Sequence, residues 1–224
     1  LMEQGETAGI DRFIVQSVAT TPKQVASINN FIANEVSLNP EKLTGLGTLH
    51  PESEDIKGDV EHLVSLGLKG VKLHPDIQAF RLDDKRCLKI YELCEEKGLI
   101  LLLHTGDNRY DYSNPNRLLP VLKTFKNMKV IGAHFGGYSI WEEACKVYCD
   151  IPNFYVDCSS SMPWLKPQET LEIIRSYGAD RVLFGTDYPM WGPADELEKF
   201  FALGLSEEDN RKILSENAKK LFSL

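Results

Sequence analysis

Leu99-Ile100-Leu101-Leu102-Leu103-His104-Thr105-Gly106 is an unbroken apolar run closed by an ionisable residue and then by small ones. A run without polar alternation reads as a strand covered on both faces, the situation of a parallel sheet between layers of helix. Working outward, residues 70–74, 129–134, 153–159 and 181–187 read as further strands, and so do 12–18 and 43–49 upstream. Helical patterns follow each of them. Thr20-Thr21-Pro22 starts one whose apolar stripe is Val25, Ile28, Phe31, Ile32 and Val36. Others are expected over 55–66, 83–97, 117–125, 139–148, 167–177, 206–214 and 216–222.

Seven strand–helix units in succession require right-handed crossovers and a parallel sheet. Such units build either an open doubly wound sheet or a closed barrel. An open nucleotide-binding sheet would want a glycine-rich phosphate loop after an early strand, and none is present. The expected fold is therefore α/β, a (β/α)8 TIM barrel. Seven strands are one short of eight, and the chain opens on a helical stretch, Leu1-Met2-Glu3-Gln4. The expectation is that the first strand lies upstream and that 1–224 is one N-terminally incomplete domain.

The chain has 224 residues, 42% hydrophobic and 26% charged, an ordinary globular balance. A net charge of −8 argues against nucleic acid or an anionic membrane as main partner. No apolar run is long enough to span a bilayer. Five cysteines without a Cys-x-x-Cys pair read as buried thiols in a reducing compartment, with the cytoplasm expected.

Function is read from where the polar residues fall. His50, His74, His104, His134, Asp157 and Asp187 each end or directly follow an apolar strand, and they include four of the five histidines. In a closed parallel barrel these ends converge on one mouth. A single histidine there is ordinarily a hydrogen-bonded core residue. Two on neighbouring strands with an aspartate on a third point to ligands for Zn²⁺ or a related cation. Such an ion lowers the pKa of its water to about 7, and a nearby aspartate can relay the proton.

Lys72 and His74 share one side of their strand and could contact an anionic or carbonyl substrate, or form a structural polar layer. His50 is a further candidate. Arg109, in the loop after His104, could pair a substrate carboxylate or be a solvated surface charge. Trp164, Trp191 and Phe80 could wall a pocket or simply pack. Gly136-Gly137 could cradle a phosphate or make a tight turn.

Leu-Leu-His-Thr-Gly at 102–106, Val-Ile-Gly-Ala-His-Phe-Gly-Gly at 130–137 and Val-Leu-Phe-Gly-Thr-Asp-Tyr-Pro at 182–189 resemble the amidohydrolase-related superfamily. The branch resembled is the one containing aminocarboxymuconate-semialdehyde decarboxylase. Gly-Val-Lys-Leu-His-Pro at 70–75 and the closing 216–222 resemble it too. The resemblance implies that His104 on the fifth strand is a metal ligand and His134 on the sixth a catalytic residue. Asp187 on the eighth would be both metal ligand and proton acceptor. It also permits a carboxylated Lys72 bridging two metals, and a homodimer. The family's first strand carries a His-x-His ligand pair that this sequence lacks. The leading expectation is a metal-dependent hydrolase of a small ester, lactone or amide. The alternatives are a metal-dependent, non-oxidative decarboxylase of a small carboxylic acid and a catalytically inactive barrel homologue.

Overall fold

In the computed structural model, which describes all 224 residues, every strand runs parallel to its neighbours. The strands are β1 (Phe13–Val15), β2 (Leu43–Gly45), β3 (Gly47–Thr48), β4 (Gly70–Leu73), β5 (Ile100–Leu103), β6 (Val130–Gly132), β7 (Phe154–Asp157) and β8 (Val182–Leu183). β2 and β3 are one extended stretch interrupted at Leu46, whose amide donates to the Val15 carbonyl at 2.9 Å. β1 pairs with β2, and β3 through β8 pair in sequence order. The expected seven parallel strands of a TIM barrel are therefore present. The sheet is open between β1 and β8, each of which has a strand partner on one side only.

Successive side chains on a strand point to opposite faces, and two apolar clusters result. Val71, Leu73, Leu101, Leu103, Val130 and Val156 belong to a large outer core beneath the helices. Ile100, Leu102, Ile131, Ala133 and Leu183 face inward and meet Leu46 in a small lumenal cluster. Cutting Leu101 to alanine in the outer core should cost about 2–5 kcal/mol. Gly47 allows the close layering: a Cβ there would lie 2.5 Å from the Leu63 side chain.

The outer layer contains α1 (Met2–Thr7), α2 (Val25–Leu38), α3 (Ile56–Ser65), α4 (Pro75–Gln78), α5 (Lys85–Lys97), α6 (Pro115–Thr124), α7 (Trp141–Tyr148), α8 (Pro167–Tyr177) and α9 (Pro193–Phe201). Capping explains several starts. Asp55 accepts from the Gly58 amide and Asp84 from the Arg86 amide, each worth about 1 kcal/mol. No helix is long and apolar enough to cross a membrane.

The sequence expectations fail mainly at element ends. The strand expected over 181–187 stops at Leu183. The Phe184 amide donates to Ile213 at 2.9 Å instead of to a neighbouring strand. Residue 213 lies in a π-helical turn, Lys212–Glu216, between α10 (Glu207–Arg211) and α11 (Asn217–Phe222). This terminal region is pinned by Asn217, which donates to the Ala179 and Val182 carbonyls at 2.7 Å each. Leu221 and Phe222 complete the lumenal cluster. Phe80 is a fully packed member of the outer core rather than a pocket wall. All five thiols are free, four of them buried and Cys149 half-buried.

Candidate active site

The strand ends do converge. The His104 ring stacks on His74, with centroids 3.8 Å apart and 9° between planes, and meets His134 edge-on at 5.0 Å. Local backbone chemistry fixes this spacing. After β5, Thr105 accepts from the Tyr138 amide at 2.9 Å, and the Asp107 amide donates to the Tyr138 carbonyl at 2.7 Å. Gly106 makes the contact feasible: its φ is +87°, and a Cβ would lie 2.5 Å from the Gly137 and Tyr138 backbone. Gly136-Gly137 is accordingly a packed turn, with Gly137 leaving room for the Ala144 side chain.

On the β4–β5 side, His74 caps α4, with the Ile77 amide 3.4 Å from its Nδ1. Two residues on, the Asp76 carboxylate reaches back so that Oδ2 lies 3.5 Å from His104 Nε2. Ser113 Oγ donates to that same oxygen at 2.6 Å. Burial holds the His74 pKa down at about 3, helped by Lys72 and His134. Burial likewise holds His104 far below the usual histidine value. It pushes the Asp76 carboxyl up to about 6, opposed by the Ser113 hydrogen bond.

On the β6–β8 side the polar groups are tied together. His134 Nδ1 lies 2.8 Å from the Ser159 carbonyl. A carbonyl only accepts, so Nδ1 carries the proton and Nε2 is the free nitrogen. Asp157 Oδ1 accepts from the amides of His134 and Ser159 and from the Ser159 hydroxyl at 2.5 Å. Burial lowers the His134 pKa against the opposing pull of Asp157. Asp187 Oδ2 accepts from Ser160 Oγ at 2.7 Å, and that oxygen accepts from Trp191 Nε1 at 3.0 Å. His134, Phe135, Ser160 and Asp187 all have φ between +50° and +59°. Such left-handed backbone costs on the order of 1 kcal/mol for each non-glycine residue. Here the flanking hydrogen bonds hold it.

Lys72, His134, Asp157, Asp187, Leu102 and Ile131 line one cavity on this side. It extends along the open edges of β1 and β8. Lys72 is buried, and burial lowers its pKa while Asp157 and Asp187 oppose the shift. The other sequence candidates fall elsewhere. Arg109 is bound to Asp107 at 2.6 Å, with its side chain 69% exposed and outside the cavity lining. Trp164 is exposed and packs edge-on against Trp191. His50 is buried and accepts from the Glu52 amide, away from the cavity.

Asp76, Ser159 and Ser160 were not singled out by sequence reasoning. The usable signal for the serines was a Ser-Ser-Ser run one residue beyond a strand ending in Asp157. Asp76 offered the proline-led helix start that follows His74.

With this geometry in hand, the relatives are informative. The amidohydrolase family profile matches residues 6–224, and the chain belongs to that family. It is 26% identical over 206 residues to 2-amino-3-carboxymuconate-6-semialdehyde decarboxylase of Dictyostelium discoideum, covering 76% of this chain and 57% of that protein. The chain thus spans little more than half the length of that curated relative. An uncharacterized TIM-barrel protein from Bordetella bronchiseptica superposes with a TM-score of 0.85 at 25% identity, over 99% of this chain and 81% of the other. A dihydroxybenzoic acid decarboxylase from Polaromonas, solved with manganese and 2-nitroresorcinol, superposes at 0.79 with 20% identity, over 100% and 85%.

Proposed function

We propose that this protein is a divalent-metal-dependent carboxy-lyase that removes CO2 from a small carboxylic acid without oxidation. The observation that carries this reading is Lys72, a buried lysine lining the same cavity as His134 and Asp187. Its amine can meet a substrate carboxylate beside two groups able to move a proton. The Dictyostelium and Polaromonas relatives, both named decarboxylases, support the same choice. Hydrolysis of an ester, lactone or amide, the leading expectation from sequence, uses the same frame, with Lys72 facing a carbonyl oxygen rather than a carboxylate.

A divalent cation fits the residues present, because His104 Nε2 is buried with no hydrogen-bond partner. In the arrangement implied by the family resemblance, His104 and Asp187 would hold it. Bound there, it would act as a Lewis acid toward substrate oxygens. Histidine nitrogen with carboxylate oxygen suits Zn²⁺ as well as the manganese of the Polaromonas structure.

The chain's own groups divide the work. Lys72 pairs with the substrate carboxylate. The bond between that carboxylate and the substrate carbon breaks, its electron pair stays on the carbon, and CO2 leaves. A proton then replaces it. His134 Nε2, left free by the Nδ1 contact, and Asp187, oriented by Ser160, pass a proton drawn from solvent to that carbon. Ser159 and Asp157 keep the His134 ring in place.

The test is the metal-loaded protein against a panel of dihydroxybenzoic acids and, separately, aryl esters and lactones. CO2 release from an acid is expected, with Lys72→Met raising KM at least about tenfold through loss of a charge-assisted contact. Ester or lactone turnover with no CO2 from any acid would reject the reading.

A further inference from the structure

Glu196 in α9 has a side chain with no solvent exposure, and its Oε2 has no hydrogen-bond partner. Its Oε1 pairs with Lys199 Nζ at 2.8 Å, one turn along the same helix. A buried carboxylate with half its acceptor capacity unused is a poor way to stabilise a helix, since apolar residues of similar volume commonly serve as well or better. What the pair does is fix a cation. The Lys199 side chain is 39% exposed, and an unpaired lysine there would sample many rotamers. Held by Glu196, its ammonium lies 6.0 Å from the centroid of the Trp191 ring, within reach of the negative face of the indole. Trp191 connects that cation to the mouth. An indole nitrogen only donates, and Nε1 donates to Ser160 Oγ at 3.0 Å. The proton of that hydroxyl goes to Asp187 Oδ2 at 2.7 Å. The backbone adds a short link, because the Met190 amide donates to the Asp187 carbonyl at 2.9 Å and α9 starts at Pro193. Asp187 lines the cavity, whereas Ser160, Trp191, Glu196 and Lys199 stand outside its lining. Trp191, a candidate pocket wall in the sequence, instead spends its donor on Ser160.

We propose that the Glu196–Lys199 pair is a positioning device for Asp187, acting through Trp191 and Ser160. The cation at the indole face keeps the ring where its N–H meets Ser160. It also strengthens that N–H as a donor by drawing charge from the ring. Ser160, ordered in this way, commits its hydroxyl proton to one carboxylate oxygen and so fixes the rotation of the Asp187 side chain. The proposal rests on the carboxy-lyase reading only in taking Asp187 as a proton carrier. The linkage from Lys199 to Asp187 stands on the geometry alone.

The experiment is a double-variant cycle on the metal-loaded protein. The first variant replaces the pair with apolar residues, Glu196→Leu with Lys199→Met; the second is Trp191→Phe; the third combines them. Circular dichroism and thermal unfolding check the fold. The pair replacement is expected to unfold no earlier than wild type, as is common when a buried ion pair gives way to apolar side chains. It should nonetheless lower kcat about tenfold, with KM within about twofold of wild type. Added to Trp191→Phe it should cause no further loss, and Lys199→Arg should keep kcat within about twofold. Wild-type kcat in the pair replacement, or losses that multiply in the combined variant, overturns the proposal. Should the pair replacement not fold, Lys199→Gln, which keeps a donor for Glu196 and removes only the cation, takes its place with the same expectations. A second readout needs no turnover. The indole N–H resonance of Trp191, assigned by its loss in Trp191→Phe, should exchange with solvent at least about tenfold faster in the pair replacement. An unchanged exchange rate overturns the proposal and leaves the carboxy-lyase reading standing. Faster exchange in a protein that releases no CO2 from any acid supports the linkage and rejects that reading.

Discussion

The two halves of the barrel mouth are built on opposite principles. On the β6–β8 side, His134, Asp157, Ser159, Ser160, Asp187 and Trp191 form closed hydrogen-bond chains that hold left-handed backbone in place. On the β4–β5 side, Asp76 and His104 retain buried atoms with no partner. A satisfied network rigidifies the side chains within it, whereas an unsatisfied one stores a cost that a ligand can relieve. The first half is suited to positioning proton-transfer groups. The second is suited to receiving an ion.

Breaking the satisfied half should have the largest effect. His134→Asn and Asp187→Asn are each expected to lower kcat by about 10²–10⁴-fold. Circular dichroism should stay unchanged, since asparagine tolerates left-handed backbone. Activity near wild type in either variant would remove that residue from the chemistry. Next comes the clamp that joins the halves. Gly106→Ala forces a Cβ to within 2.5 Å of the facing backbone at φ +87°. It should cost about 3 kcal/mol in chemical denaturation. An unchanged midpoint would show that the turn after β6 is free to yield.

The halves should respond in opposite directions to loss of a polar atom, which sharpens the contrast. Ser159→Ala breaks a satisfied chain and should destabilise by about 1–3 kcal/mol. Asp76→Asn, in chelator, removes the charge of a buried carboxylate whose Oδ1 has no hydrogen-bond partner and should raise the unfolding midpoint modestly. Equal destabilisation by both would erase the distinction between the halves.

The smallest effect concerns neither half. Cys87, Cys94 and Cys158 are buried, and burial pushes each thiol up to about 12. Native protein should therefore react with a thiol reagent at Cys149 alone, and at all five cysteines once unfolded. A raised folded pKa stabilises the fold below the usual thiol value of 9.0. That contribution is lost as pH rises toward about 12. A stability that stays flat across this window would contradict the assignment.

The strands and the helices between them were legible in the sequence because burial period and capping are local. The unbroken apolar run ending at His104 and the Asp84 start of α5 each declare themselves within a few residues. The short β8 was not legible, because Phe184 bonds to Ile213 across the chain. Neither was Arg109: it reads as a free cation until Asp107, two residues back, is seen gripping it. His104, His134 and Asp187 were singled out by position. Asp76 was not, since an acidic residue after a proline looks like ordinary helix-start chemistry. Its meaning comes from a fold that lays it against His104.

The carboxy-lyase reading is tested most directly by nuclear magnetic resonance on carbon-13-carboxyl-labelled dihydroxybenzoic acid incubated with the metal-loaded protein in heavy water. The account predicts labelled bicarbonate, with one deuteron appearing on the substrate carbon for each CO2 released. Unchanged acid from a preparation that turns over an aryl ester or lactone would contradict it.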